Sequence, residues 1–383
     1  MLKRRVTALL VLILSLLCVP LFADDAAEAT PAPAPAPAPE APKPLPAGPL
    51  QIKMGDNVSF RFGLLLQPQA DFQEVAAGGY AQNLLIRRAR FLVGGQVTKS
   101  VFFFFETENS RLGNAAPTGS KTMTGFQTLD AVVEWRKSKA LNLAGGLIRV
   151  PTSRDALESA SSEFTIDFNT YAFTATGALG GMAGRDTGIQ ARGYFLKDKL
   201  EYRASVVSGM REAGSQNEFR TTGRVQYNFF DTEVYNLPSY AGSNFGAKKI
   251  VNVGAAVDSQ EDYKGYTADF FADVPTRFGS VIGSASYYDL DGGKTAPNAL
   301  AESRVFAADG GLYFKGTKLG TWARYERRDF RIANNRDEER VLVGVGYYPF
   351  GNNFNIKTAY CRLTPAAGTD MNQIIVQLQA FYY

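Results

Sequence analysis

Val58-Ser59-Phe60-Arg61-Phe62-Gly63-Leu64-Leu65-Leu66-Gln67-Pro68-Gln69-Ala70-Asp71-Phe72-Gln73 decides the fold. Val58, Phe60, Phe62, Leu64, Leu66, Pro68, Ala70 and Phe72 alternate with Ser59, Arg61, Gly63, Leu65, Gln67, Gln69, Asp71 and Gln73 across sixteen residues. A period of two is a strand with one greasy and one polar face, and a strand of a water-soluble sheet seldom runs so long. The same alternation returns in Leu200-Tyr202-Ala204-Val206 against Glu201-Arg203-Ser205, and in Phe219-Thr221-Gly223-Val225-Tyr227 against Arg220-Thr222-Arg224-Gln226.

Extending this reading along the chain predicts strands at 58–73, 84–97, 100–108, 126–135, 140–150, 186–196, 200–208, 219–229, 246–257, 265–274, 279–288, 305–314, 318–328, 340–348, 354–363 and 371–383, sixteen in all. Short turns at 98–100, 136–139, 197–199, 275–277 and 315–317 separate longer loops such as 109–125, 151–185 and 289–304. Long loops at one end and short turns at the other are the pattern of an outer-membrane barrel. Lipid satisfies no backbone group, so every strand edge must pair and the sheet closes. The expected fold class is all-β: a 16-stranded antiparallel transmembrane β-barrel. An even strand number puts both termini on the periplasmic side. The connection 230–245 breaks the alternation, being long where a short turn belongs. The last strand carries Ile374, Val376, Leu378, Ala380 and Tyr382 on one face, and its aromatic ending Phe381-Tyr382-Tyr383 suits an outer-membrane insertion signal.

Composition agrees. The chain has 383 residues, 45% of them hydrophobic, and a mean hydropathy of −0.15, which excludes a helical membrane bundle. Thirty-seven glycines, 18 tyrosines and 27 phenylalanines against two tryptophans lean toward strands. There is no histidine, so Ser-His-Asp and Cys-His catalysis, imidazole metal sites and histidine proton shuttles are excluded together. Lys3, Arg4 and Arg5 before the apolar run from Val6 to Val19, then Leu21-Phe22-Ala23, read as a secretory signal over 1–23; the run is too short for a membrane-spanning anchor. Leu16-Leu17 stand where a lipidated Cys18 would need small residues. Losing Lys3, Arg4 and Arg5 and no acid turns the net charge of +4 into +1, which argues for no nucleic-acid partner. Cys361 alone then survives, so no internal disulfide forms. Residues 24–49, with Pro-Ala alternation from Pro31 to Pro39, favour extended polyproline II and read as a Pro/Ala-rich periplasmic spacer. The barrel then occupies 50–383.

Four short stretches carry a family resemblance: Leu85-Ile86-Arg87-Arg88-Ala89-Arg90-Phe91, Gly145-Gly146-Leu147-Ile148-Arg149-Val150-Pro151, Gly184-Arg185-Asp186-Thr187-Gly188-Ile189-Gln190 and Gly346-Tyr347-Tyr348-Pro349. Their order and spacing resemble the phosphate-selective porin O and P family over residues 55–383. The resemblance implies a homotrimer whose third long loop, here 151–185, folds inward as a constriction loop, and it puts the paired arginines Arg87 and Arg88 in the selectivity region. Anion selection needs fixed cations where the walls confine the field. By parity Arg88 and Arg90 face the lumen, with Arg87 on the other face; Arg192, Arg220, Arg224, Arg324 and Arg328 also face inward, and Arg154 and Arg185 belong to the constriction loop.

Lumen acids of suitable parity, Glu106, Glu108, Asp130, Glu134, Glu201 and Glu326, stand ready to neutralise these arginines. General or weakly anion-preferring diffusion of small hydrophilic solutes is therefore favoured over strict phosphate specificity. The partners expected are outer-membrane lipid and small anionic solutes. A non-conducting structural barrel and an outer-membrane enzyme are the alternatives, the second disfavoured by the missing histidine. No catalytic residue, metal site or cofactor is expected. Gly292-Gly293-Lys294-Thr295 mimics the end of a phosphate-binding loop, but Tyr288 stands where its first glycine belongs, so a surface loop is expected.

Overall fold

The computed structural model describes residues 50–383 except 56, 76, 116–119, 122–124, 181–183, 212–217, 234–238 and 333–336. The expected signal and spacer, 1–23 and 24–49, lie outside the described residues. The strands are β1 (Leu50–Met54), β2 (Val58–Glu74), β3 (Tyr80–Gln96), β4 (Val101–Leu112), β5 (Gln127–Ser138), β6 (Leu141–Arg149), β7 (Arg185–Phe195), β8 (Leu200–Val207), β9 (Arg220–Asn228), β10 (Ile250–Gln260), β11 (Tyr263–Pro275), β12 (Gly279–Asp291), β13 (Ser303–Phe314), β14 (Leu319–Phe330), β15 (Glu338–Tyr347), β16 (Phe354–Thr364) and β17 (Met371–Tyr382). Two short helices, α1 (Arg154–Leu157) and α2 (Thr170–Ala175), interrupt the connection between β6 and β7.

From β2 onward each strand pairs antiparallel with the next, and β17 returns to β2 through pairs such as Ile374↔Phe72 and Val376↔Ala70, so sixteen strands close into a barrel. All sixteen expected strands are present. The additional β1 pairs Leu50↔Phe62 to Met54↔Val58 on β2, just past the last β17 pair Tyr382↔Leu64, and covers the edge that β2 extends beyond β17.

Burial runs inside out. On β11, Tyr266 and Phe270 are exposed while Thr267, Asp269 and Asp273 are buried; on β10, Val253 and Val257 are exposed while Asn252, Asp258 and Gln260 are buried. Polar side chains fill the lumen and apolar ones form the outer surface, the inverse of a water-soluble barrel and the arrangement hydrocarbon demands.

One local irregularity changes a face. On β2 and β3 the register runs Leu66↔Ala89 and then Pro68↔Ile86, so Gln67 opposes both Arg87 and Arg88 in a β-bulge. Before the bulge Leu85 is buried and Leu84 is 73% exposed; after it Arg88, Arg90 and Leu92 are buried. Strict alternation puts Arg87 on the outer face, but the bulge turns both consecutive arginines toward one partner.

Candidate functional site

The four stretches singled out in the sequence, far apart along the chain, converge on the connection 150–184. From the first, Arg87 Nε and Arg88 Nη2 both donate to the Asp167 carboxylate, at 2.7 and 2.6 Å. From the second, Arg149 Nη1 donates to the Glu158 carbonyl at 2.7 Å. The third closes the connection, with the Val150 amide donating to the Gly184 carbonyl at 3.0 Å. From the fourth, the Tyr348 ring stacks on Phe164 at 5.4 Å and its hydroxyl donates to the Phe164 carbonyl. Glycine makes this last seat: a Cβ on Gly320 would come within 2.8 Å of the Phe164 ring, and one on Gly346 within 2.5 Å of Tyr348. Further ties run to lumen-side residues of other strands: Gln379 to the Ser161 carbonyl at 2.8 Å, Lys357 to the Glu163 carbonyl at 3.2 Å, Arg324 to the Phe168 carbonyl at 2.9 Å.

Every arginine expected in the lumen has an acidic partner. Arg87 and Arg88 share Asp167; Arg90 meets Glu106 at 2.7 Å and also Glu108. Arg154 meets Glu233 at 2.8 Å, Arg185 meets Asp130 at 2.9 Å, and Arg192 meets Glu134 at 2.6 Å. Arg220 forks onto Asp258 at 2.8 and 2.7 Å, Arg224 meets Asp269, Arg324 lies 3.5 Å from Asp309, and Arg328 meets Glu338. Of the acids picked out by parity, Glu106, Glu108, Asp130 and Glu134 are among these partners. Glu201 instead pairs with Arg203 at 2.6 Å, and Glu326 accepts the Tyr171 amide at 2.7 Å.

Sequence reasoning passed over two arginines that border open space. A cavity of about 320 Å³ is bounded on one side by Arg61, Arg90, Glu106 and Arg149 and on the other by Ser159, Ser161, Ser162 and Tyr240. A second, of about 250 Å³, adjoins it and shares Arg61, Phe104, Arg149 and Tyr383. Arg61 lies in the alternating stretch 58–73 and Arg149 in the stretch 145–151, so both are visible in the sequence; only the fold shows that they face one space. Among the described residues the Nε of each has no hydrogen-bond partner.

Away from this wall, Asp155, Glu158, Glu163 and Asp309 surround a small cavity of about 20 Å³. Burial, reinforced by the Glu163 charge, pushes Glu158 well up, while burial pushes Glu163 up to about 7 against the pull of Arg324. Burial also works to raise Asp167, but Arg87 and Arg88 outweigh it and hold that carboxyl well below the usual range. The arrangement can confine and bias ions.

No protein-family model matches the chain, and no curated protein does. Solved structures match in fold. The Salmonella typhi OmpF complex with daunomycin is similar at a TM-score of 0.60 and 13% identity, over 87% of this chain and 100% of that one. An anion-selective porin from Comamonas acidovorans gives 0.56 and 11%, over 85% and 100%. The trimer form of OmpT, an outer membrane protein of Vibrio cholerae, gives 0.54 and 12%, over 85% and 100%.

Proposed function

We propose that this protein is an outer-membrane porin, a homotrimer of water-filled channels for passive diffusion of small hydrophilic solutes, with a weak preference for anions. The observation that carries this reading is a closed barrel, apolar outside and charged inside, with 150–184 clamped to the lumen-side residues of β3, β14 and β16. Such a segment acts as the constriction loop, narrowing the pore without being free to swing away. Residues 1–23 serve as the secretory signal and 24–49 as the periplasmic spacer. The similarity to an anion-selective porin and to the trimer form of an outer membrane protein supports the same reading.

The arginine ladder Arg87, Arg88, Arg90, Arg154, Arg185, Arg192, Arg220, Arg224, Arg324 and Arg328 supplies the positive side of the lumen. Because each is paired, the preference is weak, and phosphate passes as one small anion among others. A planar-bilayer recording in a salt gradient tests this: discrete conductance steps with a reversal potential displaced toward the anion side are expected. Absence of steps from a correctly folded, heat-modifiable protein would overturn the porin reading, and a cation-side potential would overturn the preference.

A further inference from the structure

Antiparallel alternation puts the connection between β9 and β10 at the opposite end of the barrel from the β6–β7 connection, where the other connections are short turns. The hairpin ladder continues past both strands to Asp231 and Lys249, joined by the Asp231 amide to the Lys249 carbonyl at 2.9 Å. Two residues would suffice to close it there. Instead Glu233 and residues 239–246 bond to partners inside the barrel. Glu233, fully buried, receives the Arg154 guanidinium at 2.8 and 3.1 Å and the Asn252 amide at 2.6 Å. Tyr240 forms a parallel bridge with Glu158: its amide donates to the Leu157 carbonyl at 2.7 Å, and the Ser159 amide donates to the Tyr240 carbonyl at 2.9 Å. The Tyr240 hydroxyl meets Glu201 at 3.0 Å, and the Gly242 amide donates to Ser162 at 2.9 Å. Asn244 and Gly246 amides then anchor the exit on Asp273 at 2.6 and 3.0 Å.

Two connections entering from opposite ends therefore meet inside the lumen. Ser239, Tyr240 and Ala241 line the 320 Å³ cavity beside Ser159, Ser161 and Ser162, facing Arg61, Arg90 and Arg149. We infer that Glu233 and residues 239–246 of the β9–β10 connection form a second constriction element, setting the width and solute cut-off of the passage jointly with 150–184, with residues 239–241 forming part of the waist. This rests on the porin reading. An ordinary long turn would leave the waist untouched; this one supplies a stretch of its wall.

The test compares the parent and two variants in planar bilayers and in swelling assays with sugars of graded size. In the first variant, residues 232–248 are replaced by Asn-Gly, which closes the Asp231–Lys249 hairpin. Its conductance should rise about twofold or more, and larger sugars should enter, since a wider waist relaxes both barriers. The second variant is Ser239→Cys with Cys18 and Cys361 replaced by Ser. Reaction with a bulky methanethiosulfonate should lower its conductance by about a third or more. It decides the matter where the shortened chain does not fold.

Conduction by the parent with an unchanged cut-off in the folded shortened variant overturns the inference and leaves the porin reading standing. So does a modified Ser239→Cys channel with unaltered current, or no modification at all under conducting conditions. Conduction only after shortening supports the inference in its strongest form. Silence from parent and variants alike removes the porin reading, and the inference with it.

Discussion

Glu106→Gln is the most direct probe of the wall that faces the larger cavity. Glu106 lies 2.7 Å from Arg90, 3.7 Å from Arg149 and 4.0 Å from Arg185, so its replacement removes one negative charge from the centre of a cationic cluster while Gln keeps an acceptor for Arg90. An ion crossing the middle of the space runs roughly 6 Å from the lost charge. In water two unit charges at that distance interact by about 0.7 kcal/mol, and screening at 0.1 M salt lowers this to about 0.4. Each ion's local concentration then changes about two- to threefold, in opposite directions for anion and cation, so the anion-over-cation permeability ratio should rise about four- to tenfold. At 1 M salt, with a screening length near 3 Å, the same change should shrink below about 1.5-fold. Reversal potentials in salt gradients at both ionic strengths measure it, with heat-modifiable migration on gels as the folding control. An unaltered ratio at 0.1 M would mean that current does not pass this wall.

Four other outcomes follow from the same geometry. Arg149→Gln should move the reversal potential the opposite way by a similar amount, because Arg149 faces the same cavity. Phe164→Ala empties the seat between Gly320 and Tyr348; truncation of a packed aromatic costs roughly 3–5 kcal/mol, so 150–184 should loosen and single-channel current should become noisier. Glu163, raised by burial to about 7, binds more protons folded than unfolded between its ordinary range and that value; stability should therefore fall as pH rises from about 4.5 to 7, and melting of Glu163→Gln should lose that slope. If residues 24–49 are a spacer, as proposed, deleting them should leave single-channel conductance unchanged; a large change would place the segment in the pore.

The strands were legible because alternation over eight or more residues is a strong signal and burial follows it. What escaped was decided by partners rather than by pattern. Five residues at 50–54 carry too little periodicity to name a strand, and β1 forms only because β2 overhangs β17. The bulge at Gln67 has no signature of its own, yet by admitting one extra residue it brings Arg87 round to Asp167. Acids on strands, such as Glu106 and Asp130, were readable by parity. Asp258 lies one residue past the expected end of its strand at 257, although it forks with Arg220 across the ladder. Asp167 and Glu233 lie in connections, where parity has no meaning, so no sequence rule joins them to Arg88 and Arg154. The length of the β9–β10 connection was an anomaly in the sequence; its destination depends on contacts with residues far along the chain, such as Arg154, 79 positions from Glu233.

Pairing limits the field that a lumen rich in arginine can exert. Among the described residues, eleven buried cations stand against twelve buried carboxylates, so the buried charges nearly balance. Buried ion pairs add little net stability over apolar packing, but breaking one is costly, so their effect is to fix positions. Here Arg88 with Asp167, and Arg154 with Glu233, fasten each inserted connection at a defined place. The proposed selectivity then rests on arginines that border open space, Arg61 and Arg149 on the wall of the larger cavity. On the carboxylate side, burial favours the neutral forms of Glu158 and Glu163, which weakens the attraction for cations. The proposed anion preference thus has its source in an imbalance of availability rather than of number, and it should grow as acid protonates Glu163 and vanish where salt screens the arginines.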